Sequence, residues 1–125
     1  MIVKPIIITN NNISKEYYEG KYKVIFVEGS LMDVFTTARD YVHKGHELLT
    51  HPLMGSVKPN ETPYKTVAIT YASEKQVNFN SLMLIENSIE TARKLLVNKP
   101  TRDWPESVLE DFRVIDFDLI KNAVN

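Results

Sequence analysis

Tyr22-Lys-Val-Ile-Phe-Val27 runs straight into Glu28-Gly-Ser30 and Leu31-Met-Asp-Val-Phe35, and this junction decides the fold. The first block is a short apolar run of the kind found in strands buried on both faces. From Leu31 onward the pattern is that of an amphipathic helix. Leu31, Val34, Phe35, Ala38, Tyr41 and Val42 recur at spacings of three and four, which gives one apolar stripe. Ser30 is a good N-cap, and Asp33 places a carboxylate where the helix dipole favours one. Gly45 comes after the last periodic residue, the usual place for a left-handed residue beyond a helix end.

The same alternation extends in both directions. Upstream, Ile6-Ile-Ile-Thr9 reads as another buried strand, with Pro5 at its start and Asn10-Asn-Asn12 stopping it. Ser14 to Glu19 can form one or two helical turns that end at Gly20. Downstream, Glu47-Leu-Leu-Thr50 reads as a short third strand and Lys65-Thr-Val-Ala-Ile-Thr-Tyr71 as a fourth. Leu82, Ile85, Ile89, Ala92 and Leu96 mark a second long helix, with Asn80 as its cap and Phe79 stapled onto Leu84. Pro100 marks that helix's far side, and Pro105 can open a third through Val108, Leu109 and Phe112. After Arg113 the pattern allows either an extended break or a continued helix. The expectation is a single α/β domain over 1–125, small, layered and Rossmann-like, with a mainly parallel four-stranded sheet flanked by helices. The link between strands three and four carries no helix pattern, so that pair could instead be antiparallel.

Composition narrows the function. The chain has 125 residues, 43% of them hydrophobic, which suits one globular domain with its own core. It has no cysteine, which excludes disulfides, thiolate metal sites and a cysteine nucleophile. Fifteen Lys and Arg against sixteen Asp and Glu argue against nucleic acid or an acidic membrane as partner. No run is long and apolar enough to span a bilayer, and Met1 to Thr9 is too short an apolar block for a secretory signal. A cytoplasmic protein is expected. Helices two and three are apolar enough to leave a homodimer surface open.

Ligands of open α/β sheets gather beyond the carboxyl ends of the strands. Here those ends are Asn10-Asn-Asn12, Glu28-Gly29-Ser30, the stretch beginning at His51, and Ala72-Ser73. The connection His51-Pro-Leu-Met-Gly-Ser-Val-Lys-Pro-Asn-Glu-Thr-Pro-Tyr64 is unusually long for a compact domain. It holds three of the six prolines, so it reads as stiff, and it carries Ser56, Lys58, Asn60, Glu61 and Thr62. Gly29 and Ser30 at a helix start make a simple anion seat, although Ser30 and Asp33 can use those N–H groups themselves. No dinucleotide or P-loop glycine pattern is present.

His43, His46 and His51 cluster in sequence without a metal-ligand spacing, so neither metal nor cofactor is expected. His46 or His51 is a candidate general base, with Asp33 or Glu61 assisting. A serine nucleophile from Ser30 or Ser56 lacks the nucleophile-elbow motif. Trp104 and the tyrosines read as core or rim.

The stretch Phe26 to Phe35, Arg39-Asp40, His43 to Tyr64 and the opening Ile7-Ile-Thr-Asn10 resemble the GrdX family. Members of that family are encoded beside glycine, sarcosine and betaine reductase proteins of amino-acid-fermenting anaerobes. The resemblance implies an accessory protein of that metabolism and supplies no catalytic residue. The sequence supports two readings. One is a non-catalytic protein that binds a small anionic metabolite, or a glycine-reductase-type protein component, through the 51–64 loop, with Asn10, Gly29, Ser30, His51, Ser56, Lys58 and Asn60 as its ligand residues. The other is a small hydrolase or acyl/phosphoryl-transfer enzyme using His46 or His51 as base.

Overall fold

The computed structural model describes residues 4–55 and 57–124. Along the chain lie β1 (Pro5–Thr9), α1 (Asn12–Tyr18), β2 (Lys23–Phe26), α2 (Leu31–His43), β3 (Thr66–Thr70), α3 (Phe79–Asn98) and α4 (Glu106–Val124). The strands form one sheet in the order β2-β1-β3. β1 runs parallel to β2, pairing Ile7 with Val24, and antiparallel to β3, pairing Ile7 with Ala68.

The residues of β1 alternate between two cores, as the two-residue period of a strand requires. Ile6 and Ile8 join Val67, Ile69, the buried stripe of α2, and Ile85, Ile89 and Ala92 of α3. Ile7 and Ala68 face the other way, onto Tyr18 of α1 and Ile120 and Val124 of α4. Two helices therefore cover each face of a sheet whose central strand is buried throughout.

The sheet departs from the four-stranded, mainly parallel, Rossmann-like expectation: it has three strands and is mixed. Residues 47–50 do reach β3, donating from Leu49 N to Ala68 O at 2.8 Å and accepting from Thr70 N at Glu47 O at 2.9 Å. They form only the isolated antiparallel bridge Leu48↔Ile69. The Thr50 hydroxyl accepts from Ala68 N at 3.1 Å, taking the bond that the Leu49 carbonyl would receive in a continued ladder. Both ends of the 51–64 loop stay at the same end of the sheet, so β3 must return antiparallel to residues 47–50. β2, expected to be covered on both faces, is an edge strand and is half-exposed.

The helix ends show how local chemistry sets boundaries. α2 carries a full capping box: Ser30 Oγ accepts from Asp33 N, and Asp33 Oδ2 accepts from Ser30 N. Gly45 sits at φ +104°, and a Cβ there would collide with the Glu74 carbonyl oxygen. α3 starts earlier than expected, because Asn78 rather than Asn80 caps it, accepting from Ser81 N at 2.8 Å. Phe79 is accordingly exposed instead of stapled. α4 continues unbroken past Arg113. Among the described residues no helix is long and apolar enough to cross a membrane.

Candidate functional site

Asn10, at the end of β1, is the peg that sets the loop. Its Nδ2 donates to Gly29 O at 3.0 Å and to Pro63 O at 2.8 Å, while its Oδ1 accepts from Lys65 N at 2.9 Å. The β2–α2 turn and the far end of the loop are thus pinned to one carboxamide. Pro52, Pro59 and Thr62 are buried beneath the loop's own course. Lys65 Nζ donates to Met54 O at 3.1 Å, drawing the two ends of the loop together. The loop is folded against the body of the protein.

Its middle makes a compact turn. Lys58 O accepts from Glu61 N and Thr62 N, and Glu61 Oε1 accepts from Lys58 N at 3.0 Å. The link between α3 and α4 closes on this turn: Trp104 Nε1 donates to Glu61 O at 2.8 Å. The indole packs on Phe112 at 5.6 Å between ring centres, and the Arg102 guanidinium lies 5.2 Å from its own. Between the two segments opens a cleft of about 300 Å³, lined by Lys58, Asn60, Glu61, Lys99, Pro100, Arg102 and Trp104.

The lining is cationic. Lys58, Lys99 and Arg102 stand against the single carboxylate of Glu61, and among the described residues none of the three forms an ion pair. Asn60 adds a carbonyl oxygen, Oδ1, that is buried and meets no donor among the described residues. Three cations without an ion-pair partner among the described residues thus share one hollow.

Beside the cleft lies a buried polar cluster that joins α4 to β3 and α1. Asp116 accepts at Oδ1 from Thr66 N at 3.1 Å, and at Oδ2 from Thr66 Oγ1 at 2.7 Å and Asn11 Nδ2 at 2.9 Å. Burial pushes its carboxyl above the ordinary range, an effect opposed by these donors and by Lys65. Burial likewise lowers the Lys65 ammonium, against the attraction of Asp116. A crevice of about 10 Å³ separates the loop from α4 here, lined by Lys65, Asp116, Thr62 and Tyr64 among others. That is room for one water and no more.

The residues expected at the site divide cleanly. Lys58, Asn60 and Glu61 meet in the cleft. Asn10 is spent on positioning the loop, and Gly29, Ser30 and Asp33 on capping α2; a Cβ on Gly29 would strike the Asp33 carboxylate. Ser56 lies outside the described residues. His51 Nδ1 accepts from Leu53 N at 3.0 Å in a local turn, and His46 Nδ1 contacts Thr70 O at 2.7 Å. His43 faces Glu86 on α3. The three imidazoles diverge, and among the described residues no group of three or more His, Asp or Glu side chains could hold a metal.

Lys99, Arg102 and Trp104 lie outside the set that the sequence nominates, although Lys99-Pro-Thr-Arg102-Asp-Trp-Pro105 carries a signal. One cation, Arg102, and the only tryptophan lie between two prolines, with Lys99 just before the first, in a link too stiff to be a passive tether.

No curated protein and no solved structure matches the chain. The model of one protein family, described as GrdX-like protein, does match, over residues 6–125. That span takes in all of α1 to α4 and both walls of the cleft. The chain belongs to the GrdX-like protein family.

Proposed function

We propose that this GrdX-family chain is a non-catalytic accessory protein of glycine-reductase-type amino-acid fermentation, and that it holds a small anionic metabolite between the 51–64 loop and the α3–α4 link. The observation that carries the reading is the convergence of Lys58, Lys99 and Arg102 on one hollow with no carboxylate pairing them among the described residues. In a chain of net charge −1 such a gathering needs a local reason, and an anionic ligand supplies one. A concave site of about 300 Å³ suits a small molecule better than the flat surface of a protein partner. The glycine-reductase setting rests on the family alone.

The enzyme reading, with His46 or His51 as base, draws no support, because neither imidazole lines the cleft. A base must come within hydrogen-bond reach of the reacting atom.

Trp104 is the only tryptophan, so its fluorescence reports the cleft directly. Titration with small carboxylates and phosphates is expected to shift that emission saturably. Lys58→Ala and Arg102→Ala should each weaken binding by about tenfold, the loss of roughly one charge-assisted contact. Both side chains are exposed, so the melting temperature should stay nearly constant. Unaltered binding in the double variant would place the ligand elsewhere.

A further inference from the structure

We infer, resting on the anion-cleft reading, that the ligand is a small phosphorylated metabolite: a dianionic phosphoryl group among Lys58, Lys99 and Arg102, on an organic body only a few atoms long.

Charge comes first. Three cations less the one Glu61 carboxylate leave the lining at +2, which a monocarboxylate only half neutralises and a phosphoryl dianion matches. Glu61 is moreover drawn towards its own loop, with Oε1 accepting from Lys58 N. Lys99 caps the C-terminal end of α3, where the helix dipole alone favours a cation, but Lys58 and Arg102 have no such local reason. Arg102 brings a planar fork of donors that suits a tetrahedral oxyanion, and its stacking against Trp104 restrains that fork before any ligand arrives.

Size comes second. At about 300 Å³ the cleft lies at the small end of the range for small-molecule pockets. A bare phosphate would leave part of it unfilled. The remainder is bounded by Pro100, Trp104 and Asn60, two apolar surfaces and one amide. Asn60 brings a carboxamide to the edge of that remainder, the polar contact available to a short organic body. An organic body a few atoms long would use the Pro100 and Trp104 surfaces that free phosphate leaves untouched.

The test uses the whole chain and Trp104 emission, at fixed ionic strength, with four probes: inorganic phosphate, sulfate, glycerol 3-phosphate and glycerate. At pH 7.5 glycerol 3-phosphate should bind at least tenfold tighter than glycerate and tighter than inorganic phosphate. The second phosphate pKa lies near 6, so lowering the pH to 5 should cost the phosphate ester about tenfold in affinity. Sulfate remains a dianion at both values, and its binding should hold. Lys99→Gln should shrink the preference of the ester over glycerate while leaving the fold intact.

Equal binding of ester and glycerate would overturn the phosphoryl assignment and leave the anion cleft standing. Inorganic phosphate binding as tightly as the ester would overturn the organic body. A loss of sulfate binding equal to that of the ester at pH 5 would move the titration from ligand to protein and overturn the dianion. Silence of Trp104 towards all four probes would remove the anion cleft itself.

Discussion

Tyr18 shows how much one atom can matter. Its ring is fully buried, edge-on to Tyr17 at 4.9 Å and stacked near Tyr22 at 5.8 Å, yet its hydroxyl meets no partner among the described residues. Burial pushes its phenol up to about 12, with smaller contributions from Tyr17 and Tyr22. A raised folded-state pKa means the native protein holds the proton more tightly than the unfolded chain. Stability from this group is therefore complete below pH 10 and is lost as the pH climbs towards 12, by roughly 3 kcal/mol over the whole window. Tyr18→Phe removes an unsatisfied donor, so it should stabilise the protein by about 1 kcal/mol in urea unfolding at pH 7. The same variant should flatten the decline between pH 10 and 12.

Asp116 is the reverse case, a buried carboxylate with both oxygens engaged by donors. Asp116→Ala removes the acceptor of the buried Thr66 N, and it should cost about 2–4 kcal/mol in the same measurement.

At the level of elements the caps decide boundaries, and they can be tested against each other. Asn78→Ala should cost about 1 kcal/mol of stability, because its side chain satisfies Ser81 N at the start of α3. Asn80→Ala, in the first turn and exposed, should fall within about 0.5 kcal/mol of wild type. Urea denaturation of the pair distinguishes the two starts. The chain offers asparagines at both positions with the same apolar stripe beyond, and nothing local ranks them; the choice depends on which turn lets Ser81 reach Leu48 N, a long-range contact.

α2 is legible end to end because Ser30, Asp33 and Gly45 act within their own turns. The 47–50 segment reads as a full strand but is not one, because its pairing is interrupted by the Thr50 hydroxyl, a side chain that any strand pattern accepts. β2 has the composition of a covered strand, but its place at the edge depends on the order of strands, which periodicity does not encode. In the cleft, Lys58 and Asn60 are legible because the loop that bears them is long and stiff. Arg102 and Trp104 are not, because their meeting with Glu61 is made by the helices that carry them there.

For the whole molecule, the two cores are unequal in their sequence reach. One is assembled from β1, α2, β3 and α3; the other depends on Ile120 and Val124 near the end of α4. A chain ended at Pro105 loses the cover of Ile7, Ala68 and Tyr18 as well as the Asp116 anchor. It should bind a hydrophobic dye and lose its sharp urea transition, while far-ultraviolet circular dichroism keeps much of its helix signal.

The central position of β1 has a consequence for biosynthesis. β1 leaves the ribosome before every other described element, yet it is the strand that all the later layers must enclose, and its antiparallel neighbour is translated only after Lys65. At elongation rates of roughly 5–20 residues per second, that isoleucine triplet spends several seconds without its final partners. The nascent chain therefore presents a bare β-branched segment through much of its synthesis, the kind of sequence that ribosome-bound chaperones shield. Slowing translation should raise the aggregated fraction more than it would for a protein whose central strand is made last.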